Sequence, residues 1–135
     1  MAATGRAVID EYWRKLGSGD IGGAMTLMAS DVAYTMTGKT PVSGTFRGLG
    51  EVSEKLLKPV FSRIQGLALV PDEFIGEGDR VAVIAHGSAT TPSGETYENR
   101  YVFVYGVRDG KIVEVAEYLD TVEVETKMFG KKLVG

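Results

Sequence analysis

The sequence predicts an α+β domain in which long strands curl around N-terminal helices and enclose a pocket. Three observations predict it: apolar residues at helical spacing in the first half, four runs of strand-forming residues in the second half, and turn-forming links between those runs. Helices followed by hairpin-joined strands are typical of this class. A curled sheet that helices close at one end encloses a cavity.

The helices and strands follow one another in a simple order. Apolar residues recur at helical spacing in "RAVIDEYWRKL", and Asp20 is placed to cap a short second helix in "IGGAMTLMA". A strand in "DVAYTMTG" and a loop with a short strand follow. The third helix covers "LGEVSEKLLKPVFSRI", where Pro59 is expected to kink or divide it. Long strands are expected over residues 67–76, 80–91, 95–107 and 111–120, with a short helix opening the tail.

Composition excludes several classes of function. The 135 residues carry a net charge of −3 with scattered lysines and arginines, which argues against a nucleic-acid partner. The chain has no cysteine and one histidine, so we expect no metal site, and we expect no cofactor. No apolar run approaches ~20 residues, so no membrane span is expected. We expect a single domain over residues 1–135 and a cytoplasmic location.

The stretch "KIVEVAEYLD" places a carboxylate on an apolar face. Strands send successive side chains to opposite faces, so Val113, Val115, Glu117 and Leu119 share one side. Burying a charge is costly unless a partner or water compensates it. Glu117 is therefore the first candidate functional residue.

The turns indicate which residues lie beside Glu117. A three-residue loop in "VRDGK" would set Tyr101 opposite Glu117, and a two-residue turn at Ser93-Gly94 would set His86 opposite Tyr101. The three side chains would then form one row on the concave face. One slipped turn would move a whole strand to the other face.

Each of these residues also has a plainer interpretation. A lone histidine on an apolar face is commonly a hydrogen-bonded core residue, and a lone glutamate is commonly a rim residue or an ion-pair partner of a cation such as Arg100 or Lys111. Phe103 and Tyr105 share the face of Tyr101, and core packing explains them. The co-location of polar groups on an apolar concavity is what favours a ligand pocket.

The stretches "DVAYTMTGKTPVSGTFRGLGEV" and "GETYENRYVFVYGVRDGKIVEVAEYLDT" resemble the SnoaL-like, ketosteroid-isomerase-related proteins of the nuclear-transport-factor-2-like superfamily. The resemblance extends over nearly the whole chain. It implies a cone-shaped, cystatin-like α+β barrel with a curved mixed sheet around a pocket, and a homodimer. The superfamily contains isomerases, cyclases, dehydratases, hydrolases and proteins without catalysis, so fold alone does not settle function.

The spacing of polar residues is similar to that of limonene epoxide hydrolase, but its catalytic unit is not kept. By this resemblance Tyr34 matches a tyrosine, Met36 replaces an asparagine, Ile84 an arginine, His86 one aspartate and Glu117 the other. Without the arginine that holds two carboxylates, epoxide hydrolysis is not expected. A tyrosine, a histidine and a carboxylate around an apolar cavity suit general acid–base chemistry instead.

We therefore predict a pocket for a small hydrophobic molecule. Glu117, His86 and Tyr34 are the predicted catalytic residues. The predicted substrate-binding residues are Tyr101, Asn99, Phe103, Met36, Ile84, Trp13 and Leu119. Two alternatives remain: a non-catalytic binding protein for such a molecule, and an association module that dimerises through the convex face, where Ile112, Ala116 and Tyr118 are expected.

Overall fold

The computed structural model describes residues 4–135, so the predicted single domain over 1–135 includes three residues outside the described part. It confirms the α+β class. The helices are α1 (Gly5–Gly17), α2 (Ile21–Met25), α3 (Gly48–Glu51), α4 (Lys58–Phe61) and α5 (Thr121–Glu123). π-helical segments, Val52–Leu57 and Val124–Met128, join α3 to α4 and follow α5. None of the helices in the described residues is long and apolar enough to cross a membrane.

Local sequence explains where the helices begin and end. The Thr4 side chain caps α1 by accepting a hydrogen bond from the Ala7 amide, and Asp20 caps α2 through Gly23. The second helix is shorter than predicted, because a strand already begins at Met28. Pro59 lies at the start of α4, directly after a π-helical segment, and its missing amide agrees with a divided third helix.

A six-stranded, curved and unclosed sheet forms the other layer. Its strands are β1 (Met28–Met36), β2 (Gly44–Arg47), β3 (Gln65–Glu77), β4 (Arg80–Thr90), β5 (Thr96–Arg108) and β6 (Lys111–Leu119). The spatial order is β2-β1-β6-β5-β4-β3. The neighbours β1 and β6 run parallel and the other pairs antiparallel, so the sheet is mixed. The concave face packs on α1 and the other helices, and the opposite face is called convex below.

The β4–β5 hairpin has a longer loop than predicted, and this places the side chains of β4 on the opposite faces from those predicted. Thr91 pairs with Glu95 around a three-residue loop, Pro92 to Gly94, so His86 lies opposite Arg100 and not opposite Tyr101. Because strand faces alternate, a slip of one residue moves the whole strand over. The predictions that His86 and Ile84 lie on the concave face are therefore wrong.

The β5–β6 hairpin differs from the prediction but keeps its faces. Asp109 and Gly110 both have positive φ and form a two-residue turn, and the ladder shifts by one residue between Ile112 and Glu114. The two differences together move the register by two residues, so Glu117 faces Phe103 on the concave side. The same bulge buries Ile112 in the core, so the prediction that Ile112 lies on the convex face is wrong.

Candidate functional site

A row of side chains crosses four strands on the concave face. Val83 of β4 pairs with Phe103 of β5, Phe103 with Glu117 of β6, and Glu117 with Met36 of β1. Glu117 is the one charged member of this row and is only 7% exposed. The parallel pairing of β1 with β6 brings Tyr34 beside it, because β1 residues two apart share a face.

The row forms one wall of an apolar cavity with a volume of about 130 Å³. A single water needs roughly 10–15 Å³ of such volume, so the cavity can hold a larger molecule. Helices α1, α2 and α4 supply the opposite side, and residues of both π-helical segments also line it. Ile21 and Phe61 line it too and are half exposed, which gives the cavity an apolar mouth.

Within the described part of the chain, Glu117 has one hydrogen-bond partner and no cation partner. Tyr34 donates a hydrogen bond of 2.5 Å to its Oε1. Its Oε2 accepts no hydrogen bond from residues 4–135 and is not sealed off, so it faces the cavity. The cations that could have paired with it are elsewhere: Arg100 lies opposite His86 on the other face, and Lys111 donates to the carbonyl of Thr26.

The electrostatics of Glu117 follow from this arrangement. Burial raises the pKa of its carboxyl to about 7, while the hydrogen bond from Tyr34 opposes the rise. The carboxyl can therefore hold or release a proton near neutral pH.

Tyrosine hydroxyls surround the carboxyl. Five of the six tyrosines in the chain line the cavity: Tyr12, Tyr34, Tyr97, Tyr101 and Tyr105. Burial raises the pKa of each, and the charge of Glu117 adds to the rise. All five therefore stay protonated at neutral pH and can donate hydrogen bonds.

The hydroxyls differ in what they already bind. Trp13 donates from its indole to the Tyr105 hydroxyl at 3.2 Å, and Tyr97 and Tyr101 contact each other at 3.1 Å. The Tyr12 hydroxyl has no hydrogen-bond partner within the described range and borders the cavity. It is thus open to a ligand.

Most of the predicted site residues come together around the cavity. Glu117 and Tyr34 lie in hydrogen-bond contact. The predicted substrate-binding residues that line the cavity are Trp13, Met36, Tyr101, Phe103 and Leu119. This places them, while their roles remain predictions.

Three predicted residues lie elsewhere. His86 is on the convex face, where its side chain is 52% exposed and its Nδ1 lies 2.8 Å from a carboxylate oxygen of Asp72. Ile84 shares that face, because it is two residues away on the same strand. Asn99 is buried beside Tyr97 and does not line the cavity.

Sequence reasoning missed some of the tyrosines. Tyr97 and Tyr105 alternate with solvent-facing residues in "TYENRYVFVY", so the period of two that placed Tyr101 also places them. The sequence predicts core packing for Tyr105, and its ring does stack with that of Phe103. Tyr12 belongs to the buried stripe of α1, where nothing in the spacing distinguishes a core tyrosine from a cavity tyrosine.

Comparison with known proteins agrees with the fold. Residues 9–115 match the family described as the SnoaL-like domain. No curated protein matches the chain. Among solved structures, an NTF2-like protein from Burkholderia thailandensis E264 is 24% identical with a TM-score of 0.84, and the match covers 93% of this chain and 98% of that one.

Two further structures are similar. TerC, co-crystallised with polyporic acid, is 29% identical with a TM-score of 0.81, over 93% of this chain and 98% of that one. A protein from Jannaschia sp. CCS1, provisionally named a SnoaL-like polyketide cyclase, is 17% identical with a TM-score of 0.73, over 93% and 94%. The likenesses at 24% and 17% identity concern the fold alone.

Proposed function

The chain belongs to the SnoaL-like family, and from this premise we propose that it is a cofactor-independent acid–base enzyme acting on a small hydrophobic carbonyl or hydroxyl compound. Glu117 is the proposed proton acceptor and donor. The observation that carries the proposal is a carboxyl at the wall of an apolar cavity, with one oxygen facing that cavity and no cation partner among the residues that the structure describes.

The acidity of Glu117 supports this role. A group that transfers protons works best when its pKa lies near the working pH, and the pKa of Glu117 is raised to about 7. At neutral pH a large share of molecules then carries a carboxylate ready to accept a proton. After the transfer, the same group is an acid of suitable strength to return it.

The proposed step is the removal of a proton from a carbon next to a carbonyl. The C–H bond breaks, the proton moves to Oε2 of Glu117, and the electron pair shifts to the carbonyl oxygen, which gives an enolate. Neutral hydroxyls of Tyr12 and Tyr101 are available to donate hydrogen bonds to that oxygen. Returning the proton to another carbon gives an isomerisation. In a dehydration, the enolate re-forms the carbonyl, the bond to a β-hydroxyl breaks, and that hydroxyl takes the proton from Glu117 and leaves as water.

The lining of the cavity supports a hydrophobic ligand. Apart from Glu117 and the tyrosine hydroxyls, it consists of aliphatic and aromatic side chains with thioethers and the Trp13 indole. Such cavities bury the apolar body of a ligand and orient it through a few polar groups. The co-crystallisation of the similar TerC with polyporic acid supports a small organic ligand here as well.

The second candidate is a binding protein without catalysis. The position of His86 favours it, because this predicted catalytic residue lies on the convex face, away from Glu117. In that case the cavity would hold its ligand through the same tyrosines and exchange no protons.

One experiment tests the enzyme and separates it from the binding protein. Protein in D₂O is incubated with 2-tetralone, and exchange of the hydrogens next to the carbonyl is followed by NMR. We expect the wild type to accelerate exchange and Glu117→Gln to lose at least ~100-fold of that acceleration. Glu54→Gln, which alters an exposed carboxylate paired with Lys58, is the matched control.

Ligand binding is measured in parallel with polyporic acid. Trp13 is the single tryptophan and lines the cavity, so its fluorescence reports occupation. Binding without any acceleration of exchange would favour the binding protein. Acceleration that survives in Glu117→Gln would contradict Glu117 as the proton acceptor.

A further inference from the structure

The amide of Asn99 is held in one orientation behind Tyr97, which lines the cavity. Its Oδ1 accepts hydrogen bonds from the backbone amides of Arg100, at 2.8 Å, and Asp120, at 2.9 Å. Its Nδ2 donates to the carbonyl of Asp120 at 3.0 Å and to the Tyr97 hydroxyl at 2.9 Å. Exchanging oxygen and nitrogen would set two donors against Nδ2 and a carbonyl against Oδ1, so this orientation is fixed.

The fixed amide determines which of the two tyrosine hydroxyls donates the hydrogen bond between them. Tyr97 accepts from Asn99, and its oxygen lies 3.1 Å from that of Tyr101. Tyr97 is 0% exposed, and Tyr101 is the only further partner of its hydroxyl within residues 4–135. If Tyr97 did not donate to Tyr101, its own proton would be buried without an acceptor, which is costly. The chain of hydrogen bonds therefore runs from Asn99 to Tyr97 to Tyr101.

Tyr101 is then left with a proton that has no acceptor among residues 4–135. Its hydroxyl oxygen is already occupied as an acceptor, and its side chain lines the cavity. Gly87 leaves space for the Tyr101 ring in this position, because a Cβ at residue 87 would lie only 3.3 Å from that ring and 2.9 Å from Leu69. Hydrogen bonds in a chain polarise one another, so the bond accepted from Tyr97 makes Tyr101 a stronger donor than it would be without Tyr97.

We propose that the Tyr101 hydroxyl is a dedicated hydrogen-bond donor for a carbonyl oxygen of the ligand, and that Asn99 is the positioning residue that sets its direction through Tyr97. The cavity then selects carbonyl compounds over hydrocarbons of the same shape. Tyr101 pairs with Leu119 and Glu117 pairs with Phe103, so the donor and the carboxyl contact different atoms of the ligand. This inference rests on the proposed function only in requiring that the cavity bind a small molecule.

The test compares two ligands of the same shape. Acetophenone carries a carbonyl, and α-methylstyrene carries a methylene group in its place. Calorimetry gives the ratio of their dissociation constants for each variant. We expect Tyr101→Phe to lower the relative preference for acetophenone about tenfold, the usual scale for one hydrogen bond. Tyr118→Phe removes the one tyrosine hydroxyl outside the cavity and should leave the ratio unchanged.

Asn99→Asp tests the direction. An aspartate offers Tyr97 an acceptor in place of a donor, so Tyr97 should turn towards it and accept from Tyr101, which draws the Tyr101 proton out of the cavity. The preference for acetophenone should then fall as it does in Tyr101→Phe. The infrared carbonyl stretch of bound acetophenone labelled with ¹³C should be lower in the wild type than in either variant, which a purely structural role of Asn99 would not produce.

Tyr97→Phe serves if Asn99→Asp does not fold, and it should give an intermediate preference because Tyr101 keeps its proton and loses its polarising partner. A ratio and a carbonyl stretch that Tyr101→Phe leaves unchanged would overturn the proposal, as would a Tyr97→Phe variant equal to the wild type. If the wild type prefers acetophenone but does not accelerate proton exchange, the proposed enzymatic function fails and this inference stands. If neither compound binds the wild type, both fail.

Discussion

The Tyr34 hydroxyl donates a hydrogen bond to Oε1 of Glu117 across the single parallel strand pair of the sheet. This contact satisfies one carboxylate oxygen and leaves the other free to face the cavity. A second partner or a nearby cation would have lowered the pKa of the carboxyl further. The single hydrogen bond therefore offsets only part of the rise in pKa that burial causes, and the result is a carboxyl that titrates near neutral pH.

Tyr34→Phe tests this balance. The hydrogen bond from Tyr34 stabilises the charged form of Glu117, so removing it should raise the pKa of the carboxyl above about 7. One hydrogen bond of ordinary strength corresponds to roughly one pKa unit. NMR of ¹³C-labelled glutamate side chains measures the shift, with Tyr118→Phe as a control outside the cavity. An unchanged or lower pKa in Tyr34→Phe would contradict the assigned contact.

His86→Ala tests whether the histidine takes part in the site. The side chain lies on the convex face and pairs with the exposed Asp72, so we expect the affinity for polyporic acid to stay within about twofold. An exposed side-chain contact of this kind contributes roughly 0–1 kcal/mol, so the free energy of unfolding should change by no more than that. Leu57→Trp, which adds bulk at a half-buried lining position, should weaken binding in the same assay. A large loss of affinity in His86→Ala would restore the histidine to the site.

The sequence predicted the fold class and strand positions well because these depend on periodicity and on turn residues. The long strands lie within one or two residues of their predicted bounds, and Glu117 lies on the concave face as predicted. The carboxyl also lies beside Tyr34, a match that rested on the resemblance to a known enzyme.

The sequence could not determine on which face of the sheet His86 lies. The face of a strand residue depends on the length of the adjoining turn, and the sequence specifies that length only weakly. "TPSGE" fits a two-residue turn as well as the observed three-residue loop, and the two choices put β4 on opposite faces. In the next hairpin two differences compensated, so Glu117 stayed on its face through coincidence and not through a correct register. Asn99 was expected to contact the ligand, and only the contacts of its amide show that it lies behind Tyr97.

We further propose that the chain forms a homodimer through the convex face. Ile84, Val102 and Tyr118 form a row across three strands there, and Val102 and Tyr118 are exposed. Contiguous exposed apolar surface of this kind marks interaction sites. Val102→Glu should therefore convert a dimer into a monomer in sedimentation experiments at micromolar concentration, while Ser53→Glu, on the helical side, should not. A wild type that sediments as a monomer would refute the dimer.

The pH dependence of stability gives the most direct test of Glu117, because it needs no substrate. The pKa of the carboxyl is about 7 in the folded protein and about 4.5 without burial. Between these values the folded state binds the proton more tightly than the unfolded state, so the contribution of Glu117 to stability is lost as pH rises. The loss is complete above pH ~7 and amounts to about 3 kcal/mol in the free energy of unfolding.

Glu117→Gln removes this titration and keeps the shape of the side chain. Other groups titrate alike in both proteins, so the difference in unfolding free energy between variant and wild type isolates Glu117. We expect that difference to move in favour of the variant by about 3 kcal/mol between pH 4.5 and pH 8. At pH 8 the variant should therefore be at least as stable as the wild type, even though glutamine weakens the contact with Tyr34. Urea unfolding at the two pH values measures this difference in the free energy of unfolding.

A variant that is clearly less stable than the wild type at pH 8 would mean that the carboxylate has a stabilising charged partner, because breaking a buried ion pair strands one charge. Glu117 would then be a structural residue, and the binding protein would be the better account of the cavity.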